Sequence, residues 1–327
     1  KNAGELGAAV LILGKIHDGG LQMLRDYGGL EIREMREHVS EIFDELPDTD
    51  AIIVRMTKIT REVVASAPNL RIVARHGVGY EAVDVDALTD HGVPLTITGD
   101  VNSVAVAEHT LALMLVLAKQ VVTYDRAVRN NNFAIRDGFD STELSGKVVL
   151  LVGFGRIGRA SAQRAAAFGM RVVVADPFVT KEQVEAEGYS YTTDFRGVLP
   201  DADYVCIHVP KTPDTTNLIS KDELKAMKPS AHLLNVSRGG IVDEEALYMA
   251  LKEGWIRGAG LDVFDPEPPK PDNPLLKLDN IVVSPHCGAF TEECAQRMAE
   301  ACAQSVLDAM EGKYDRALVI NKEALPA

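Results

Sequence analysis

Three side chains stand just past apolar runs that read as strands: Arg238 in "NVSRGGIVDE", Glu267 in "DVFDPEPPKP" and His286 in "VVSPHCG". A cation, a carboxylate and an imidazole in such positions suit hydride transfer to a carbonyl. The arriving hydride makes an alkoxide, so the oxygen needs a proton donor, and histidine cycles its proton near neutral pH. A carboxylate beside the ring favours imidazolium and orients it, the task read for Glu267. The planar fork of Arg238 suits an anionic substrate group and polarises a carbonyl. Taken singly, Arg238 also fits a cap on a sheet edge, Glu267 a solvated loop acid and His286 a core histidine. Together, behind a dinucleotide loop, they point to a site.

That loop is in "KVVLLVGFGRIGRASAQRAAAFGMRVVVAD", where Gly153, Gly155 and Gly158 form GxGxxG between an apolar strand and a helix. A second strand ends in Asp176, at the spacing the dinucleotide fingerprint demands. Gly153 permits the tight turn, Gly155 lets backbone approach a pyrophosphate, and Gly158 lets helix and strand pack closely. The helix N-terminus, at Arg156, Ile157 and Gly158, supplies N–H donors and partial positive charge. Its Ile157, Ser161, Ala165 and Phe168 fall on one predicted face. Asp176 accepts from ribose hydroxyls and repels a 2'-phosphate, which predicts NAD rather than NADP.

Stepping outward, β-branched runs alternate with helical stretches, the pattern of parallel α/β sheets. "AAVLILG", "EIREMRE", "AIIVRM", "LRIVARHG" and "VPLTIT" predict a small α/β unit over residues 1–99. Residues 104–129 read as one long helical pattern, and a second series of strands runs from 148 to 286. The remainder holds one helix, about 292–311, and a strand-like run, "RALVI", expected to pack back on the first unit.

The 327 residues, 46% apolar, suggest two domains, and a net charge of −14 argues against a nucleic-acid surface. The longest clean apolar run, 111–118, is too short to span a bilayer, and the start lacks a signal-peptide pattern. Cys206, Cys287, Cys294 and Cys302 show no CxxC spacing and read as reduced thiols of a cytoplasmic protein, with no metal expected.

"GFGRIG" with Asp176, "NVSRGGIVDEEAL", "GAGLDVFDPEP" and "SPHCGAFTEE" resemble, in order and spacing, the signature blocks of NAD-dependent D-isomer-specific 2-hydroxyacid dehydrogenases. "VRMTKIT", "APNLRIVARHGVGYEAVD" and "VNSVAVAEHTLALML" extend the similarity over nearly the whole chain. The resemblance implies a Rossmann-type doubly wound coenzyme domain over 101–287 carrying a dimerisation helix. It also implies a smaller flavodoxin-like α/β substrate domain from 1–100 and 288–327, a cleft that closes on substrate, and a homodimer. That dimer would account for the apolar "HTLALMLVLA" better than an internal core alone. By the same resemblance Arg238 binds substrate, Glu267 partners His286, His286 is the acid/base, and Asp262 holds the nicotinamide amide. The N–H groups of Val78 and Gly79 would meet the substrate carboxylate.

The expected substrate is a small anionic 2-oxo or 2-hydroxy acid, with 3-phosphoglycerate, glycerate/hydroxypyruvate or glyoxylate as candidates. Among subfamilies the look is nearest to 3-phosphoglycerate dehydrogenases, without the C-terminal regulatory domain many of them carry, so feedback control by an amino acid is not expected. Arg55, Lys58, Arg75 and His76 form a cationic group suited to a phosphate or sulfonate, or else a solvated basic surface. Tyr80, Glu81, Ala82, Phe133 and Cys287 depart from the usual pattern, and Cys287 raises the question of oxidation. Formate and phosphite dehydrogenases share the architecture but read differently around the histidine. NAD-sensing transcriptional corepressors resemble the same family and are the alternative in a different functional class.

Overall fold

The computed structural model describes residues 7–37 and 40–325, so residues 1–6 of the first predicted unit and 326–327 of the last lie outside the described residues. The chain divides into two compact units, Lys1–Asn102 with Phe290–Ala327, and Ser103–Ala289.

In the first unit, strands β1 (Ala8–Leu13), β2 (Leu30–Met35), β3 (Thr49–Val54), β4 (Ile72–Arg75) and β5 (Leu95–Thr96) form a parallel sheet in the order β2-β1-β3-β4-β5. This is the flavodoxin-like order. The central strand β1, "AAVLIL", is buried at every position, as expected where helices cover both faces. Helices α1 (Asp18–Tyr27), α2 (Ile42–Glu45), α3 (Arg61–Ala65) and α4 (Val85–Asp90) connect the strands.

The second unit carries β6 (Val148–Val152), β7 (Arg171–Ala175), β8 (Ser190–Thr192), β9 (Tyr204–Ile207), β10 (His232–Asn235), β11 (Gly258–Leu261) and β12 (Ile281–Val283). They pair in parallel in the order β12-β11-β10-β9-β6-β7-β8, the doubly wound Rossmann arrangement extended by one strand. Its helices are α5 (Ser103–Lys119), α6 (Val121–Arg129), α7 (Arg156–Ala167), α8 (Lys181–Ala186), α9 (Lys221–Ala226) and α10 (Glu244–Glu253). Helix α11 (Glu292–Met310) returns to the first unit, where Gly20 of α1 meets the backbone of Ala299 so closely that a Cβ would collide with it.

The structure corrects four expectations. The pattern over 104–129 is two helices, because Gln120 takes a left-handed backbone (φ 54°) and α5 and α6 bend by 55°. Among the described residues no single helix is long and apolar enough to cross a membrane. The apolar character of α5 belongs to the interior, since Val106, Leu111, Leu113, Met114 and Leu117 join a core with β6 and β7. Exposed apolar side chains stand at Val104 at the start of α5, on α6 at Val121 and Val128, and beyond it at Phe133 and Phe139. Phe168 caps α7 and is exposed, so Gly158, Ser161, Ala162 and Ala165 make the packed face.

Finally, "RALVI" makes one antiparallel bridge, Thr96 to Val319, rather than a strand. With only two residues, β5 offers little edge to extend. Asn321 fastens the segment instead, accepting from the Leu95 N–H at 2.7 Å and donating to the Val93 carbonyl at 3.0 Å.

Candidate active site

The turn after β6 explains why three glycines are spaced as they are. Gly153 has φ 106°, and a Cβ there would lie 2.5 Å from the His208 carbonyl oxygen. A Cβ on Gly158 would collide with the Gly153 carbonyl oxygen. Both positions are therefore fixed by the protein's own packing. Gly155 differs, because a Cβ there meets nothing within 4 Å. It caps α7, whose first intrahelical bond runs from the Arg159 N–H to the Gly155 carbonyl. The N–H groups of Arg156, Ile157 and Gly158 precede that bond and point out of the helix start, where an anion is favoured.

Asp176 directly follows β7 and is held against this turn. Its Oδ2 accepts from the Phe154 N–H at 2.7 Å and its Oδ1 from the Phe178 N–H at 2.8 Å. Each carboxylate oxygen keeps a lone pair for a further donor. An open Gly155, a free helix start and a carboxylate at the neighbouring strand end fit a dinucleotide.

Arg238, Glu267 and His286 follow β10, β11 and β12, adjacent strands of the same sheet. The Arg238 turn is stitched by Asn235, whose Nδ2 donates to the Arg238 carbonyl at 2.9 Å and whose Oδ1 accepts from the Ser237 N–H at 3.1 Å. Ser237 Oγ donates to the Ile207 carbonyl at 2.7 Å. Gly239 must be glycine, since a Cβ would strike the Phe264 carbonyl in the loop that carries Glu267. Two backbones thus touch, and the side chains beyond them share one edge.

Glu267 Oε1 accepts from the Phe264 N–H at 3.0 Å, and its Oε2 lies 2.8 Å from His286 Nδ1. Burial tends to raise the Glu267 pKa, but the hydrogen bond and charge of His286, the Phe264 N–H and the Arg238 charge hold it below the usual carboxylate value. An ionised carboxylate only accepts, so Nδ1 carries the proton of this bond and Nε2 is the nitrogen left for other work.

Asp262, at the end of β11, is almost fully buried. Its Oδ1 accepts from Ser284 Oγ at 2.6 Å and from the Cys287 N–H at 2.9 Å, and its Oδ2 accepts from the Gly288 N–H at 2.9 Å. His109 Nε2, from α5, lies 3.4 Å from Oδ1 and 2.9 Å from Ser284 Oγ. Burial alone would raise the carboxyl, yet the bonds from His109, Ser284, Cys287 and Gly288 hold it at about 2. The carboxylate thereby clamps the loop on which His286 sits. The Cys287 thiol is pushed up by burial and by the Asp262 charge, so it is a weak nucleophile.

In the first unit, Arg55 follows β3 and the loop of Val78 and Gly79 follows the adjacent β4. Among the described residues the N–H groups of Val78 and Gly79 have no protein acceptor. The Arg55 guanidinium donates to the Lys15 carbonyl at 2.9 Å, pairs with Glu37 at 3.6 Å and stacks 4.8 Å above the Phe290 ring. His76 does not join a cationic group. Burial first, then the charges of Arg55 and Arg75, lower its pKa to about 4, so the ring is neutral at pH 7. Lys58 is exposed.

A family model, the NAD-binding domain of D-isomer specific 2-hydroxyacid dehydrogenases, matches residues 111–288. The chain belongs to this family. It is 37% identical over 97% of its length to D-3-phosphoglycerate dehydrogenase of Methanocaldococcus jannaschii, of which it spans 60%. It is 39% identical to glyoxylate reductase of Pyrococcus furiosus, over 97% of this chain and 96% of that one. D-lactate dehydrogenase of Aquifex aeolicus, solved with NAD and lactic acid, superposes with a TM-score of 0.85 at 28% identity, over 95% of this chain and 99% of that one.

In this family member, sequence reasoning missed His109, Ser284 and His208. His109 sits in the apolar run "AEHTLALML" and meets partners more than 150 positions away, so no local spacing announces it. His208 lies under the glycine turn with both ring nitrogens buried and, among the described residues, unpartnered. Burial lowers its pKa to about 4.

Proposed function

We propose that the chain is an NAD-dependent oxidoreductase that interconverts a small 2-oxo acid and its D-2-hydroxy acid. The observation that carries this reading is the Glu267–His286 pair, with Arg238 on the next strand, at the same sheet edge as the glycine turn. Gly153, Gly155, Arg156, Ile157, Gly158 and Asp176 would hold the coenzyme, and Asp262 would take its nicotinamide amide. NADH, when bound, supplies the hydride that reaches the carbonyl carbon.

The protein's part is binding and proton transfer. Arg238 binds the substrate carboxylate and polarises the carbonyl, while Arg55 and the N–H groups of Val78 and Gly79 supply further anion contacts. His286 donates a proton from Nε2 to the nascent alkoxide, and Glu267 stabilises the imidazolium beforehand and keeps the ring oriented. In the reverse direction the same Nε2 is the base. Such proton transfer is worth about 10²- to 10⁴-fold in rate.

The candidate substrates are 3-phosphoglycerate, glycerate/hydroxypyruvate and glyoxylate, of which the first and the last are in line with the names of the relatives. Exposed Val121, Val128, Phe133 and Phe139 support a homodimer through the second unit. Four free cysteines suit a reducing compartment, and we place the reaction in the cytoplasm.

The test is NADH oxidation by the purified protein against glyoxylate, hydroxypyruvate, 3-phosphohydroxypyruvate, sulfopyruvate and phenylpyruvate. Saturable turnover of one, lost in His286→Ala, supports the proposal. Tight NADH binding with no turnover of any would favour an NAD-sensing role.

A further inference from the structure

The clamp around Asp262 has a donor set that loop fastening alone does not call for. One ligand atom each from His109, Asp262 and Cys287 lies within 4.8 Å of the other two. They come from α5, from the end of β11 and from the loop after β12, all in the second unit. We propose that these three side chains form a site for a soft divalent cation of the zinc class, and that its occupancy excludes the nicotinamide amide from Asp262. The second half rests on the coenzyme reading above.

Imidazole, carboxylate and thiolate together are ligands of a zinc-type ion, whereas magnesium and calcium require several hard oxygens. Tetrahedral bonds of about 2.0–2.3 Å place ligand atoms roughly 3.3–3.8 Å apart, so a cluster within 4.8 Å closes on an ion by a contraction of at most about 1.5 Å. Ser284 Oγ, already bonded to Asp262 and His109, lies in the same cluster, and a water can take the fourth position. The His109 side chain is 21% exposed and that of Asp262 2%, which leaves an approach from one side onto a buried anion. Gly288 keeps the space open, because a Cβ there would lie 3.1 Å from Asp262 Oδ2 and 3.4 Å from the His109 ring.

On binding, the Cys287 S–H bond breaks as the sulfur–metal bond forms. The proton passes to water and nothing is oxidised or reduced. His109 Nε2 gives up the proton it offers Ser284, the ring passing through solvent exchange to its neutral Nδ1–H tautomer, and the freed Nε2 lone pair coordinates in place of that hydrogen bond. Cys287 thereby gains a role that proton transfer at His286 does not provide.

The experiment is a titration of the full chain with cadmium, a soft ion of the same class, followed by the sulfur-to-cadmium charge-transfer absorption. One equivalent should bind. The band should vanish in Cys287→Ala, persist in Cys294→Ala, and need at least about tenfold more cadmium in His109→Gln. Saturating NADH should suppress it, and excess magnesium should not. A band that survives in Cys287→Ala, or is indifferent to His109→Gln, overturns the site. A Cys287-dependent band that is unmoved while NADH is bound overturns the competition. Failure of NADH to bind the metal-free protein speaks against the coenzyme reading and leaves the cadmium result to judge the site alone.

Discussion

His286 Nδ1 and Glu267 Oε2 stand 2.8 Å apart while the His286 backbone holds a φ of 52°, a left-handed conformation that costs a non-glycine residue about 1–2 kcal/mol. Asp262 offsets that cost by accepting from the two following N–H groups, at Cys287 and Gly288. The ring is thus aimed by its backbone and held by its neighbour. Glu267→Gln keeps the size and removes the charge. It should lower kcat/KM by about 10²-fold and leave coenzyme affinity unchanged, as steady-state kinetics and NADH titration would show. Equal kcat/KM in both proteins would reduce Glu267 to a structural residue.

Arg238→Lys retains the charge and loses the fork. Because Gly239 and Asn235 fix the backbone of this turn, the shorter hydrogen-bonding reach of lysine cannot be recovered by a shift of the loop. Loss of a bidentate, charge-assisted contact of about 1.5–3 kcal/mol predicts a fall in kcat/KM of roughly 10- to 100-fold, most of it in KM. An unchanged KM for the preferred 2-oxo acid would remove Arg238 from the substrate.

The glycine turn separates folding from binding. Gly158→Ala drives a methyl into the Gly153 carbonyl and should lower the melting temperature by about 4 °C or more. Gly155→Thr points into open space, and threonine caps a helix about as well as glycine. Its melting temperature should stay within about 2 °C of the parent while NADH binds about tenfold more weakly. The opposite pattern would mean that the coenzyme does not lie over Gly155.

What the sequence disclosed and what it hid divide along a physical line. The glycine spacing, Asp176 and the three residues after β10, β11 and β12 were legible because each is tied to the end of an apolar strand. The parallel order of both sheets follows from the same alternation. The break at Gln120 was not legible, since nothing in its side chain demands a left-handed backbone. His76 read as a cation by composition, but charge depends on burial, and burial depends on the fold. The contacts of His109 join segments distant in sequence and leave no periodic trace.

His232 provides a test of the interior. Burial and then the Arg257 charge lower its pKa from 6.5 to about 4, with Asp203 acting in the opposite sense. The unfolded ring takes a proton below pH 6.5 and the folded ring only near 4, so stability falls as pH drops through that window, by up to about 3 kcal/mol. His232→Phe keeps the stack on Tyr204, 5.1 Å between centroids, and cannot be protonated. Its melting temperature should fall less steeply than the parent's between pH 6.5 and 4. Parallel curves would place the acid sensitivity elsewhere.

The packing of α11 on the first unit also sets an order of events during synthesis. Val10, Ile12, Leu24, Ile53 and Ile72 share a core with Ala299, Cys302, Ala303 and Val306. The whole of the second unit is translated between these two groups. A nascent chain therefore carries an apolar face on its N-terminal sheet that α1 alone covers while the second unit emerges, and that cover is completed only when α11 leaves the ribosome. The interval in which this protein is most exposed to aggregation is written into its connectivity, and a chaperone that shields early α/β sheets would act on it there.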